Sequence, residues 1–347
     1  MAKTVKKTKK ISELLLPLSE VKTLAEGITS EKLSSYFFDA TKLSHQPEPL
    51  YRLDMNGYRY YYRMVDNEPI FYTSVTTLIK NTLPTSPFLI KWLVDKGGDN
   101  GRDEAEERAN YGTFLHGEFA LLLITGTYDL DKLSSKLGQF ALKEKIQIPK
   151  DWVTELKKDM LALAQFIIDK NVEPLAIEQI LYHPTDGYAG ALDLVCMLTI
   201  EERGFFGEVY ASGANKGQPK ESKRTRRVRA IIDLKSGRKS FYQSHEIQLG
   251  AYREMWNIHF PDLPVEMVAN VAPKEWRTTP SYNFTDQTNS KNIAKLPYLV
   301  ELAKIEEGKK DNKTLVTSGV IELFKGLDKN ICEKTLTDLI KNESVSK

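Results

Sequence analysis

The chain has 347 residues, room for one large or two small domains, and its 28% charged and 41% hydrophobic content lets it bury a core of its own. With 49 basic and 47 acidic residues the net charge is +2, which excludes a uniformly basic protein but not a local nucleic-acid-binding patch. Two cysteines, Cys196 and Cys332, are too few for a disulfide scaffold, a four-cysteine zinc site or a four-cysteine iron–sulfur cluster, and no run approaches the ~20 apolar residues of a membrane span.

The first 20 residues are lysine-rich around Leu14–Leu16, an apolar run too short for a signal peptide and flanked by Glu13 and Glu20. They read as a solvated basic tail, and the expected compartment is the cytoplasm. Short helices and the proline-containing connector His45–Leu50 follow. Residues 57–76 alternate in strand fashion about Asp66-Asn67-Glu68-Pro69, which predicts a hairpin. Ser86-Pro87 opens a helix that Gly97-Gly98 closes. Further helices are predicted over about Asp103–Thr125, ended by Gly126, and about Asp151–Lys170, ended by Asn171.

The period then changes. Residues 175–183, 189–200 and 227–235 are short β-rich runs, 241–259 reads as a helix and Val265–Ala272 as another strand, the order of a mixed α/β domain. Gly204–Arg227 is rich in glycine, serine and basic residues and is expected to be a mobile loop. Residues 279–292 look like a polar surface connection, and 288–347 like two or three charged amphipathic helices.

Residues suited to chemistry cluster in the middle of the chain. The apolar strand from Val228 ends in Asp233-Leu234-Lys235. Alternation puts Asp233 and Lys235 on one face and Val228, Ala230, Ile232 and Leu234 on the other. Opposite charges at the end of an apolar strand are costly to desolvate unless they pair or bind something. The same acid-x-lysine spacing recurs at Glu20/Lys22, Glu155/Lys157 and elsewhere, in polar or helical settings where it marks a solvated face.

Asp193 lies inside an apolar strand behind Gly187 and Gly190, either satisfied by backbone amides or acting as a metal ligand beside Asp233. Glu178, alone, reads as a strand-face glutamate; next to Asp193 and Asp233 it becomes a third oxygen ligand. His116 follows Gly112 by one helical turn, and a lone helix histidine is ordinarily structural. Gln248 and Tyr252 share a helical face, with His245 on nearly the same one, and by themselves read as a polar edge lying on a sheet. The Tyr58–Arg63 cluster fits either a half-buried hairpin or a platform for single-stranded bases.

Taken in order, Gly112-x-x-x-His116, Glu178, Gly190-x-x-Asp193, Asp233-x-Lys235 and Gln248-x-x-x-Tyr252 resemble the PD-(D/E)XK nuclease superfamily, most closely its RecB-like and phage exonuclease branch. The resemblance spans about residues 111–255 and, less specifically, Tyr72–Thr77. It implies an α/β, restriction-endonuclease-like core, a mixed central sheet flanked by helices with helical N- and C-terminal additions. The expected layout is an N-terminal tail and helical segment over 1–50, a nuclease core over 51–285 with a basic insertion at 204–227, and a C-terminal helical appendage over 286–347.

The resemblance further implies a metal-dependent deoxyribonuclease, an exonuclease of phage recombination, repair or genome processing, or else a structure-specific or restriction-like endonuclease. A non-catalytic DNA-binding or virion-associated protein on the same fold is the rival from another class. Asp193 and Asp233 would be the central metal ligands, His116, Glu178 and the Leu234 carbonyl would complete the sites, and Lys235 would orient or deprotonate the attacking water. Mg2+ is the default cofactor, and a histidine ligand makes Mn2+ competitive. Gln248, Tyr252 and Arg253 would position the substrate backbone, while Lys223, Arg224, Arg226 and Arg227 would steer DNA. Some relatives carry an iron–sulfur cluster; two cysteines do not build one. DNA is the implied partner, with a phage recombination or packaging protein as a second and no membrane; the oligomeric state stays open, and a phage-encoded chain would work in the host cytoplasm.

Overall fold

The computed structural model describes residues 43–310 apart from 46, 56–57, 67 and 238–240. The basic tail, the predicted N-terminal helices and most of the C-terminal appendage lie outside the described residues. Three antiparallel strands open the described chain: β1 Tyr51–Met55, β2 Tyr58–Val65 and β3 Glu68–Ser74. The predicted turn at 66–69 joins β2 to β3, with Asp66 in the left-handed region at φ 50°. Ser74 ends β3 and caps helix α1, Val75–Thr82, by accepting from the Thr77 N–H at 3.0 Å. Sequence reading had carried the strand on to residue 76.

Helix α2, Pro87–Lys96, begins at its proline and ends at Gly97, as expected. Helix α3 spans Gly98–Thr125 and so starts five residues earlier than Asp103; Gly126, at φ 68°, stops it. A helix not foreseen, α4 Leu133–Glu144, buries Leu133, Leu137 and Ala141 at four-residue spacing. Helix α5, Trp152–Asp169, matches the expected bounds, with Asn171 in the left-handed region just beyond.

The central strands follow: β4 Glu173–Tyr182, β5 Tyr188–Val209 and β6 Pro219–Leu234. Helix α6, Gln243–His259, crosses to β7 Met267–Lys274, which lies parallel to β6. Strand β8, Ser281–Asp286, and helix α7, Leu296–Lys310, complete the described fold. Parallel and antiparallel pairs coexist in one eight-stranded sheet. Helices α1, α6 and α7 pack on one face, where Val75, Ile247, Met255, Trp256 and Leu296 share a core with Val195 and Ile231. Helices α3, α4 and α5 cover the other, where Leu115, Leu137, Leu156 and Phe166 meet Val228, Ala230, Ile232 and Leu234. This is the mixed α/β fold with a helix-flanked mixed sheet that the sequence led us to expect. Among the described residues no helix is long and apolar enough to cross a membrane.

Two expectations fail. Residues 204–227, expected as a mobile loop, mostly continue β5 and β6 into a two-stranded arm paired from Leu198↔Val228 to Phe205↔Glu221 and again at Val209↔Pro219. Extension satisfies backbone groups that a loop would leave to water, and charged side chains tie the strands together. Glu202 accepts from Arg226 at 2.8 Å and Arg224 at 3.2 Å, Lys223 pairs with Glu201 at 2.7 Å, and Arg224 lies over the Phe206 ring. Residues 281–286, expected as a surface connection, form β8 instead, because Tyr282 and Phe284 pack against Phe166.

Glu202 is the acceptor that two arm arginines share. Glu202→Gln is expected to speed amide hydrogen exchange over 199–205 and 221–227 while 228–234 keeps its protection. Unchanged exchange in the arm would show that backbone pairing alone holds it.

Candidate metal centre and active cleft

One edge of β5 serves two partners. Ser74 of β3 pairs with Ala189, and Ile232 of β6 pairs with Leu194 on the same edge, since β4 occupies the other. Residues 190–193 lie in the fork between β3 and β6. A cleft of about 370 Å³ opens there. It is lined by the fork, by α1 at Val75 and Thr76, by α3 at Arg108, Gly112 and His116, and by α6 at Gln248 and Tyr252.

A row of polar residues crosses the sheet at the cleft. Asp233 pairs with Asn270 of β7. Asp193 stands one step beyond the pair Leu194↔Ile232 and so faces Asp233. Glu178 falls opposite Asp193, between the pairs Ile177↔Leu194 and Gln179↔Leu192. Glu178 itself has φ 50°, the left-handed region that a residue with a Cβ adopts only at a cost. The core records the consequence: Ala176 and Leu181, five apart, share one cluster, as do Leu192 and Val195, three apart. Strict alternation gives even separations, so β4 and β5 both reverse their facing at this pair.

His116, on α3, approaches this row. Its Nδ1 lies 3.4 Å from Asp193 Oδ1. One ligand atom from each of His116, Glu178 and Asp193 falls within 4.8 Å of the other two. One imidazole and two carboxylates form a nitrogen–oxygen donor set that suits a divalent cation, with imidazole drawing Mn2+ into competition with Mg2+. Asp233, expected as a central ligand beside Asp193, is not in that group. It is 1% exposed, and its Oδ2 accepts from Asn270 Nδ2 at 2.7 Å and pairs with Lys235 Nζ at 2.8 Å. Leu234, expected to offer its carbonyl, meets the site through its N–H, which donates to Asp193 Oδ2 at 2.7 Å.

The charges of the site are tightly set. Burial opposes the charged imidazole, but the Asp193 carboxylate overrides it, and His116 is pushed up to about 9. Burial and then Asp193 push Glu178 up to about 8. Burial also works against an ionised Asp193, yet His116, Lys235 and the Leu234 N–H together hold it below the usual carboxylate range. Asp233 is raised to about 6, by burial above all and further by Asp193, against the pull of Lys235. Both shifts favour the protonated forms of His116 and Glu178, which a cation bound there would have to displace.

A second chain of contacts runs from Asp233 into α6. Lys235 Nζ donates to Gln248 Oε1 at 3.0 Å, and Gln248 Nε2 donates to the Tyr252 hydroxyl at 2.6 Å. The tyrosine ring lies so close to Gly190 that a Cβ there would come within 2.7 Å of its Cε1. On α3, a Cβ at Gly112 would sit 2.9 Å from Ser236 Oγ. Gly190 is thus required for close approach, whereas at 112 only the Ser236 hydroxyl would have to turn aside. His245 Nδ1 accepts from the Tyr242 N–H at 3.2 Å, and burial with Lys235 nearby depresses it to about 3, so it closes the start of α6 as a neutral ring.

The remaining expected residues lie elsewhere. Arg253 turns away from the cleft and donates to the Thr288 carbonyl at 3.3 Å. Arg227 is six residues along β6 from Asp233, about 20 Å at strand rise, and Arg226, Arg224 and Lys223 lie further out. Each is paired with an acid: Arg227 with Glu173, Arg226 with Glu202 and Glu266, Arg224 with Glu202 and Lys223 with Glu201. In the Tyr58–Arg63 cluster, Tyr60, Tyr61 and Tyr62 are buried, so their rings form a hairpin core rather than a stacking platform. Asn270, Ser236 and Arg52 were not singled out in the sequence, and Arg59 only as part of the Tyr58–Arg63 cluster. Asn270 carried the same signal as Asp193, a polar residue inside an apolar strand.

No protein-family model matches the chain, and no curated protein matches it. Among solved structures, a "Putative exonuclease" from Eubacterium rectale is 13% identical with a TM-score of 0.30, covering 62% of this chain and 79% of that one. A likeness of that extent does not bear on function.

Two measurements probe this geometry. Gly190→Ala is expected to lower stability in urea by about 1–3 kcal/mol, because the methyl must displace a buried ring, whereas Gly138→Ala on α4, with open space around it, should gain up to about 1 kcal/mol. For the metal site the sign follows from the raised values: cations need His116 and Glu178 unprotonated, so affinity should rise with pH and level off above about 9. Calorimetry with Mn2+ at pH 7 in two buffers of different ionisation enthalpy should then show proton release. A pH-independent affinity would remove His116 and Glu178 from the ligand set.

Proposed function

We propose that the chain is a metal-dependent deoxyribonuclease that hydrolyses phosphodiester bonds, an exonuclease in phage-type recombination, repair or genome processing. One observation carries this reading: Glu178, Asp193 and Asp233 form a single row across three strands, with His116 and Lys235 beside it in one cleft. Acids gathered in one cleft, with Asp233 fully buried among them, cost a fold stability unless they bind something, and a phosphodiester requires what such a row can recruit. The sequence resemblance to PD-(D/E)XK nucleases names the same residues in the same order.

His116, Glu178 and Asp193 would hold the cation, Mg2+ by default. A bound divalent cation supplies charge neutralisation at the phosphate and makes water more acidic. Lys235, oriented from two sides by Asp233 and Gln248, is held at the edge of the carboxylate row, where it can direct the attacking water or donate to the phosphate. Tyr252 anchors Gln248 and so fixes the lysine. DNA recognition is assigned to the cleft walls; on the arm Lys223, Arg224, Arg226 and Arg227 are each ion-paired with an acid.

End-labelled linear DNA and covalently closed circular DNA, each incubated with Mg2+, Mn2+ or EDTA, test the reading. Metal-dependent loss of linear DNA alone is the expected result, and the label lost first gives the polarity. Lys235→Ala and Asp233→Ala should each lower the rate by about 10²–10⁴-fold. Cutting of the circle would make the enzyme an endonuclease. DNA binding without any cutting would make it a binding protein on this fold.

A further inference from the structure

Strand β7 is buried and apolar from Met267 to Pro273 except at Asn270. Alternation puts Asn270 on the face of Val268, beneath α6. A valine would suit a buried strand better, in β-propensity and in desolvation. The side chain is 0% exposed, so its amide is tolerated only against a partner, and that partner is Asp233. Register sets the two side by side on β6 and β7, and Asn270 Nδ2 donates to Asp233 Oδ2 at 2.7 Å. Lys235 Nζ meets the same oxygen at 2.8 Å. One carboxylate oxygen thus lies between a fixed amide and the lysine.

The amide is held from behind by the turn that follows β8. The Gln287 N–H donates to the Val268 carbonyl at 2.8 Å, and the Val268 N–H donates to Thr288 Oγ1 at 3.1 Å. From α6, Arg253 donates to the Thr288 carbonyl, and Glu246 accepts from Ser290 Oγ and from Asn292 Nδ2 at 2.8 Å. Clamped between β7 and α6, the turn presents Gln287, whose Nε2 reaches Asn270 Oδ1 at 3.5 Å. That long contact distinguishes the two ends of the Asn270 amide, its oxygen toward Gln287 and its NH2 toward Asp233. Neither Asn270 nor Gln287 lines the cleft, so neither is placed to touch a substrate.

We propose that Asn270, oriented by Gln287, is a positioning residue: it holds the Asp233 carboxylate against Lys235 and so fixes where the lysine points. The inference rests on the nuclease reading for the reaction it serves, while the contacts it invokes exist without substrate. It also gives Arg253 a part, since that arginine secures the turn that carries Gln287.

Labelling of Lys235 tests the contact without DNA. Full-length wild type, Asn270→Val and Gln287→Ala are exposed briefly to acetic anhydride, and each lysine is followed by mass spectrometry. Lys235 should be acetylated about 10-fold faster in Asn270→Val and about 3-fold faster in Gln287→Ala, as the carboxylate loosens its hold. Lys136 of α4, paired with Glu118 at 2.7 Å, should keep its rate and so report an intact fold. An unchanged Lys235 rate in Asn270→Val overturns the proposal; should Lys136 also react faster there, Gln287→Ala decides by the same criterion. For the reaction, cleavage is followed in a single turnover with protein in excess, where the rate constant is that of the folded fraction only. Asn270→Val should lower it by about 10–100-fold and cause no further loss in a Lys235→Ala background. An unchanged rate, or full additivity with Lys235→Ala, overturns the positioning role. Should wild type cut nothing, the nuclease reading fails by itself, and the labelling alone decides whether Asn270 holds the lysine.

Discussion

Carboxylates on neighbouring strands repel one another, and burial raises the cost of keeping them charged. Glu178, Asp193 and Asp233 meet this problem in one row, and the surrounding structure is arranged to answer it. Asp193 is held ionised by His116, Lys235 and the Leu234 N–H. Asp233 is answered by Lys235 and Asn270. Glu178 has no comparable donor among these contacts and is held toward its protonated form. The site is thus balanced as it stands and poised to exchange protons for a cation.

The sheet creates the space for that exchange. Because β3 and β6 share one edge of β5, the strands fork, and the fork exposes residues 190–193 to a cleft instead of to another strand. The reversal at Glu178 and Asp193 lets both side chains leave the normal alternation at the fork. A left-handed glutamate is a strained conformation, and its occurrence beside the acid row places the strain where a function can use it. Gly190 lets the Tyr252 ring of α6 come down onto the end of β5, and at Gly112 α3 meets Ser236 just beyond the end of β6.

The two ends of β5 and β6 have different electrostatic characters. At the cleft end the acids gather, with Lys235 paired to Asp233 and Arg52 and Arg59 lining the same cleft. On the arm Lys223, Arg224 and Arg226 pair with Glu201, Glu202 and Glu266. Arg52 and Arg59, two of the three arginines in the aromatic hairpin, line the cleft itself.

The amino-acid sequence by itself determined the order of the central elements from α5 to β7, most helix ends and the acid-bearing strands, but not β1, α4 or β8. Its signals there are local: glycine at C-termini, a serine–proline start, and polar residues set into apolar runs at Asp193 and Asp233. His116, Gln248 and Tyr252 read as structural by spacing alone, and it was the ordered resemblance to a nuclease family that pointed to them. Pairing is not local, and only the tertiary structure decided it. Whether 204–227 was loop or ribbon depended on cross-strand partners distant in the chain, and β8 depended on Phe166. That Asp233 binds Lys235 and Asn270 rather than joining the His116–Glu178–Asp193 group was settled by register between strands. That Arg253 and the arm arginines turn away while Arg52 and Arg59 line the cleft was settled by which edges of β5 were taken.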